Sequence, residues 1–426
     1  MAAKEEPVED PVEEPVEELD APAEGDALPP EDEVALTVLH TADWHLGRRF
    51  PAFDEDDART LSRARLEVVE RIFGVADRRR VDAVLCAGDL FDEPSPDAQF
   101  WEGLLAILER AARPERPIVL LPGNHDPLIA GSVWHPTHPL RQRLPEGVHV
   151  VDRDDFELAL GEGAVLHARP CRSKAGQKDN ALALPAREEG DARIRIGMVH
   201  GQTFDVPGCQ QNFPIAEDAA VRRGFDYLAI GDTHAYRKVP PDAEVPTVYP
   251  SAPEATNFGE KDTGYVALVL FLRHRRRAVV RPERVARWTW RREKVTSLAR
   301  LRELATEDLA RTVLRLELSM PVSPEEYGEV EQLLAALKGS EAAHGRVGVL
   351  RVERDELQLV TEDIERYFER LPAVLRATVE RLKAREAEQP EQARRALYQL
   401  YRLTRAAGGS GVGAAGDSDA SAEDGA

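Results

Sequence analysis

The sequence predicts an α/β fold: a two-sheet sandwich flanked by helices, followed by a small second α/β unit and C-terminal helices. Three patterns in the 426 residues carry this expectation. Between residues 34 and 121, β-branched apolar runs alternate with amphipathic stretches of helical period. Between 148 and 281 the apolar runs shorten and follow one another closely, and near 288–296 the alternation of helix and strand resumes. Strands alternating with helices of this length imply βαβ units, whereas successive short strands add sheet without helical cover.

Residues 1–33 hold fourteen Asp and Glu against Lys4, in repeated Pro-Val-Glu-Glu units without an aromatic side chain. Such a stretch cannot bury enough apolar surface to offset its ordering entropy and is read as a disordered tail. A first domain over residues 34–294 opens with a strand at 34–40, a helix at 61–79 and a strand at 81–87. A helix at 97–110 and a strand at 118–121 repeat the unit. Strands at 148–151, 156–160, 164–168, 194–200, 226–230, 247–249, 265–271 and 278–281 complete it. The second unit, 295–360, reads as helix 298–305, strand 312–318, helix 324–336 and strand 346–352. A helical segment over 361–405 places Ile364, Tyr367, Leu371, Leu375, Val379 and Leu382 at helical spacing and is broken near Pro390. That apolar stripe packs either on the body or on another chain. The Gly, Ala, Ser and Asp-rich residues 406–426 form a second disordered tail.

The formal charge of -21 argues against a polyanionic substrate only until it is located. Residues 1–33 carry -13 and residues 406–426 a further -4, which leaves -4 for the body. The acidity therefore does not line a cleft by necessity. Three widely spaced cysteines, Cys86, Cys171 and Cys209, favour reduced thiols over a disulfide framework. No apolar run approaches the ~20 residues that span a bilayer, so no membrane association and a cytoplasmic location are expected.

Five segments carry the chemistry: Asp43-Trp44-His45, Gly88-Asp89, Gly123-Asn124-His125-Asp126, His200-Gly201 and Gly231-Asp232-Thr233-His234. Each follows a short apolar run and so reads as the loop at a strand end. Oxygen donors from Asp43, Asp89, Asn124 and Asp232, mixed with the imidazoles of His45, His200 and His234, suit a pair of divalent transition ions. A thiolate zinc site or an all-oxygen calcium site would need another donor set. Two cations about 3.5 to 4 Å apart can activate a water and neutralise a phosphate ester. Asp43 and His45 can share one ion, and Asp89, after a glycine, can come close enough to bridge both. His125, beside a ligand, is placed to contact the scissile phosphate and protonate the leaving oxygen. Asp92 and Asp126 are candidate supporting residues.

This ordered series resembles the calcineurin-like metallophosphoesterases. The wording around it is similar to the SbcD-like branch of DNA repair exonucleases: Leu39-His40-Thr41-Ala42-Asp43-Trp44-His45-Leu46-Gly47, Ala87-Gly88-Asp89-Leu90-Phe91-Asp92 and Asp226-Tyr227-Leu228-Ala229-Ile230-Gly231. The resemblance implies a metallophosphoesterase sandwich with a capping domain over 295–360. It implies one metal held by Asp43, His45, Asp89 and His234, and a second held by Asp89, Asn124, His200 and Asp232. It makes His125 the catalytic histidine and manganese the working ion. It also implies a homodimer, DNA as substrate, and a C-terminal helical segment that docks an SbcC-like coiled-coil ATPase. Two positions depart from the pattern. Asp232 stands where most nucleases of this branch carry histidine, which makes the site more negative. Asp92 stands where archaeal and eukaryotic relatives have histidine.

The expected activity is therefore metal-dependent hydrolysis of DNA phosphodiesters. The alternatives are a metallophosphoesterase for a small phosphodiester or phosphomonoester, and a non-catalytic metal-binding scaffold, against which His125 argues. Arg169, Arg172, Lys174 and Lys178 are candidate phosphate contacts. So are Arg275, Arg276 and Arg277, which with Arg281, Arg284, Arg287, Arg291 and Arg292 are interleaved with Trp288 and Trp290. A solvated face explains that basic run equally well. Trp44 packs beside the metal loop or stacks on substrate, and His40 and His167 read as buried structural histidines.

Overall fold

The computed structural model describes residues 28–203, 211–273, 278–339 and 347–359, and, within 367–404, residues 367–368, 371–386, 392–393, 396–397, 399–401 and 403–404. The readings on residues 1–27, 360–366 and 405–426, on Pro390, on Cys209 and on Arg275, Arg276 and Arg277 lie outside the described residues. The chain divides into two compact units between Trp290 and Arg291.

The first unit is built on two six-stranded sheets. In the first, β1 (Val34–Thr41), β2 (Ala83–Cys86), β3 (Ile118–Leu120) and β4 (Val148–Val150) run parallel in that order. The second has β5 (Phe156–Ala159) antiparallel to β6 (Ala164–Ala168). Parallel to β6 follow β7 (Ile194–His200), β8 (Tyr227–Gly231) and β10 (Thr247–Pro250), and β9 (Tyr236–Val239) lies antiparallel at the edge. The chain then returns to the first sheet, where β11 (Tyr265–Leu272) pairs antiparallel with β1 and β12 (Ala278–Arg284) closes the edge. That return is what the sequence does not announce, because register between distant strands is set by packing rather than by local pattern.

Alternation along β1 explains the layering. Leu36 and Val38 enter the core between the two sheets with Leu85, Val119, Met198, Ala229 and Val269. Leu39 points the other way, into the core under helices α1 (Glu55–Arg78) and α2 (Ala98–Ala111). A side chain buried on either face of such a sheet contributes about 1.5–3 kcal/mol. Buried His40 bridges the sheets through Nδ1 and the Tyr227 hydroxyl at 2.8 Å, the structural role expected of it. Helix α1 begins six residues before the expected start because Asp54 caps it by accepting from the Asp57 amide, and Glu55, Asp56 and Asp57 suit its positive end. A search for the first apolar residue passes over that polar turn. The short helices α3 (Pro139–Arg143) and α4 (Ala219–Arg223), and strand β9, add to the expected elements.

The second unit has a sheet of β13 (Thr289–Val295), β14 (Leu309–Leu318) and β16 (Val347–Glu353), with β15 (Pro321–Val322) paired to β17 (Gln358–Leu359). Strands β14 and β16 are parallel. Helix α5 (Leu298–Leu304) precedes β14, and α6 (Pro324–Lys338) starts at a capping box between Ser323 and Glu326. In the C-terminal part, α7 (Ala373–Glu386) and its neighbours send Val379, Leu382, Leu397 and Tyr401 into this unit's own core. The apolar stripe thus packs on the chain itself at these residues.

Candidate metal centre

The five motif loops converge at one end of the first unit. Asp43, Asp89 and Asn124 follow β1, β2 and β3, His200 ends β7, and Asp232 and His234 follow β8. These are the carboxyl ends of parallel strands, where open α/β sheets place their ligands. Backbone pairing continues beyond the strands: the amides of Asp43, His45 and Leu46 donate to the carbonyls of Gly88, Asp89 and Leu90 at 2.9–3.0 Å. Asp126 ties in the third loop, its carboxylate accepting from the amides of Leu90, Phe91 and Gly123. The Asp232 amide donates to both oxygens of Asp43 and so joins the two sheets' loops.

Two motif glycines are dictated by close approach. A Cβ on Gly88 would lie 2.3 Å from His200 Nδ1, at a φ of +99°, and one on Gly123 would lie 2.2 Å from Asp89 Oδ1. Four of the acid and imidazole residues themselves adopt positive φ, Asp43 at 55°, His45 at 45°, Asp89 at 53° and Asp232 at 110°. Non-glycine residues hold such angles at a cost of order 1–3 kcal/mol each, which the surrounding pairing sustains.

Four imidazoles face this point, and each has its Nδ1 engaged from behind. His45 Nδ1 donates to Asp92 Oδ1 at 3.1 Å, His200 Nδ1 to the Ala87 carbonyl at 2.9 Å and His234 Nδ1 to Glu260 Oε1 at 2.8 Å. His125 Nδ1 donates to the Asp92 carbonyl at 3.1 Å. Carbonyls and carboxylates only accept, so the ring proton sits on Nδ1 and each neutral ring turns its Nε2 lone pair inward. His45 Nε2 and His234 Nε2 then lie 3.0 Å apart, and His200 Nε2 lies 2.8 Å from Asn124 Oδ1 and 3.3 Å from Asp89 Oδ2. Asp89 Oδ2 is also 4.0 Å from His45 Nε2, between His200 and the His45–His234 pair.

Converging lone pairs call for cations. Among the described residues, three tight groups offer one: Asp43, His45 and His234; His45, Asp89 and His125; Asp43, Asp89 and His200. The 3.0 Å between the Nε2 atoms of His45 and His234 matches neighbouring ligands on one ion with bonds of about 2.1 Å. The donor set therefore fits divalent metal. Asp232 stands outside these tight groups, with its Oδ1 3.7 Å from His200 Nε2.

The acids and imidazoles of the centre also shift one another's acidity. Burial, with Asp89 and Asp232 adding to it, pushes the Asp43 carboxyl up to about 7 against the pull of His200 and His234. Burial and then Asp89 push Asp126 up to about 8, although three amides donate to it. Burial opposes charge on His200, but Asp89, Asp43 and Asp232 outweigh it and raise the ring well above its ordinary value. Burial likewise opposes charge on His234, while the Glu260 bond and Asp43 raise it. For His45 burial prevails and lowers it to about 4. The carboxylates around His200 and His234 thus favour positive charge at this point.

Outside the centre, the structure places Trp44 fully buried, with Nε1 donating to Thr41 Oγ1 and its ring against Phe73, so it packs and does not stack on substrate. Arg169 and Arg172 are both committed to Asp154, which leaves their charge half neutralised. Lys174 is exposed. Arg291 pairs with Glu293 and Glu307, and Arg292 with Glu317, within the second unit. Sequence reasoning misses Glu260, Thr256 and Glu254, which sit on the loop between β10 and β11 and carry no strand-end signature.

Residues 36–236 match the calcineurin-like phosphoesterases. Over these residues the chain is similar to that family. The chain is 30% identical over 240 residues to the uncharacterized metallophosphoesterase YhaO of Bacillus subtilis, covering 54% of this chain and 56% of that protein. It is 35% identical over 179 residues to the SbcD component of the nuclease SbcCD from Rhodobacter capsulatus, covering 39% of each. To the corresponding SbcD component from Bacillus subtilis it is 29% identical over 175 residues, covering 39% and 42%. The chain thus matches between two fifths and somewhat over half of these relatives' lengths. Among the described residues, no helix is long and apolar enough to cross a membrane.

Proposed function

We propose that this phosphoesterase is a metal-dependent DNA nuclease, an SbcD-like protein that hydrolyses phosphodiesters during repair. The observation that carries the chemistry is the set of four imidazoles tied through Nδ1, with Nε2 atoms and carboxylates converging on one point. The DNA reading draws its support from the two SbcD relatives. Asp43, His45, Asp89 and His234 would hold one divalent ion, and Asp89, Asn124, His200 and Asp232 a second, with manganese the favoured metal. Bound there, the ions would supply charge neutralisation for the phosphate and a more acidic water.

The chain's own groups do the rest. Asp89 Oδ2, between His45 Nε2 and His200 Nε2, would be the carboxylate oxygen within reach of both ligand sets. His125 differs from the other three rings in its side-chain exposure, 43% against 2%, 0% and 24% for His45, His200 and His234. Its Nδ1 is occupied by the Asp92 carbonyl, so its Nε2 remains for a phosphate oxygen or the departing alkoxide. Asp92 positions two rings at once, His45 through its carboxylate and His125 through its carbonyl. An SbcC-like ATPase, a homodimer and a cytoplasmic site of action complete the proposal.

The chain incubated with manganese should cut end-labelled single- or double-stranded DNA, and His125→Ala should lose that activity by about 100-fold or more. Hydrolysis of a small chromogenic phosphodiester without any DNA cleavage would overturn the nuclease reading in favour of a small-ester enzyme. Inertness toward both, with an SbcC-like partner added, would leave the scaffold.

A further inference from the structure

The four rings of the centre are anchored by three acceptors from the motif loops and one from elsewhere. Ala87 and Asp92 belong to the Gly88-Asp89 loop. The acceptor for His234 is Glu260, 26 residues downstream and beyond the family match at residues 36–236. Its carboxylate is itself held. The Thr256 amide donates to Oε2 at 2.7 Å, the Thr256 hydroxyl donates to Oε1, and the same hydroxyl lies 3.3 Å from His234 Nδ1. The start of this loop is fixed from below. Buried Glu254 accepts from Arg71 and from the amides of Arg287 and Trp288, and buried Arg65 donates to the carbonyls of Glu254 and of His45. A short loop fixed at its start, and closed on itself by Thr256 and Glu260, thus aims one carboxylate at one ring nitrogen.

We infer that Glu260 is a positioning residue of the metal centre, which keeps the His234 ring proton on Nδ1 and its Nε2 lone pair turned toward the ion shared with His45. The inference rests on reading the site as a metal centre. It extends that site to the β10–β11 loop, where no motif points. A carboxylate behind a ligating histidine fixes ring orientation and raises ligand basicity, and its loss commonly weakens metal binding by about 10- to 100-fold.

Equilibrium dialysis of manganese against the full chain tests this without recourse to activity, and the Mn(II) electron paramagnetic resonance spectrum reports whether the bound ions are paired. The wild-type chain should bind two ions with a spin-coupled signal. Glu260→Ala should bind one of them about 10- to 100-fold more weakly, lose the coupled signal at limiting manganese and leave the other ion's affinity unchanged. Glu260→Gln, which keeps an acceptor oxygen but not the charge, should recover part of the loss. If Glu260→Ala does not fold, the Gln variant decides, since several-fold weaker binding of one ion supports the role and wild-type affinity overturns it. Two ions bound by the wild type and equally well by both variants would sink this inference alone. No manganese bound by the wild type would instead overturn the metal-centre reading on which it rests.

Discussion

His200 and His234 face the same point from opposite sides, yet they are held in different ways. His200 is fully buried, its Nδ1 on a main-chain carbonyl and its ring against the bare Cα of Gly88. His234 is a quarter exposed in its side chain, and its Nδ1 rests on a carboxylate from a separate loop. A main-chain anchor survives nearly any substitution at its own position and fails only when the backbone is forced apart. A side-chain anchor can be removed by one codon. The two halves of one centre therefore differ in how they can be broken.

The sharpest way to expose that difference is Gly88→Ala. The new methyl would meet His200 Nδ1, in a backbone region that side chains rarely adopt. Manganese binding at the His200 side should fall by more than about 100-fold, and the metal-free chain should lose roughly 2–4 kcal/mol of stability. Calorimetric titration and a denaturant melt would check both, and wild-type values would show that the backbone there yields easily. Next in size, Asp92→Ala removes the acceptor of His45 while leaving the main-chain acceptor of His125 in place. Metal affinity should drop by about 10- to 100-fold with little change in the metal-free melt. A fall of several kcal/mol in that melt, with affinity intact, would make Asp92 merely a structural residue.

The smallest effect is that of pH, which acts on both halves together. Asp43, at about 7, holds its proton well above the ordinary carboxylate range, so the native metal-free chain binds more protons than the unfolded one between about pH 4 and 7. That contribution to stability is complete below pH 4 and gone once the pH passes 7. His200 and His234, also raised, act in the same direction and outnumber His45, which is lowered to about 4 and opposes them below about pH 6.5. The metal-free melting temperature should fall by roughly 5 °C from pH 5 to pH 8, and manganese affinity should rise over the same interval as metal displaces protons. Saturating manganese should flatten the melting profile. A melting temperature that climbs with pH in the metal-free chain would contradict the charge balance described for this site.

How legible these halves are follows from what builds them. Asp43, Asp89, Asn124, His200 and Asp232 each stand at or directly after a strand end, so local pattern alone places them in strand-end loops, and order along the chain suggests their convergence. Glu260 stands in a loop whose position depends on β10 and β11 lying in different sheets, a fact of tertiary pairing with no local signature. Arg169 and Arg172 show the same limit, since their shared partner Asp154 comes to them only once β5 and β6 are side by side. Strand β13 shows in the sequence only as a change of character, because its four consecutive charged residues, Arg291 to Lys294 between Trp290 and Val295, lack the apolar alternation that marks a strand.

The left-handed backbone at Asp43, His45 and Asp89 has a consequence for laboratory evolution. Replacing such a residue by glycine relaxes an angle that costs energy in every folded molecule, and removes a metal donor in the same step. A library of this chain sorted only for heat resistance in chelator would enrich changes at these positions, and its most durable members would be inert. Selection has to score turnover as well, because at these three sites durability and chemistry pull the same dihedral angles in opposite directions.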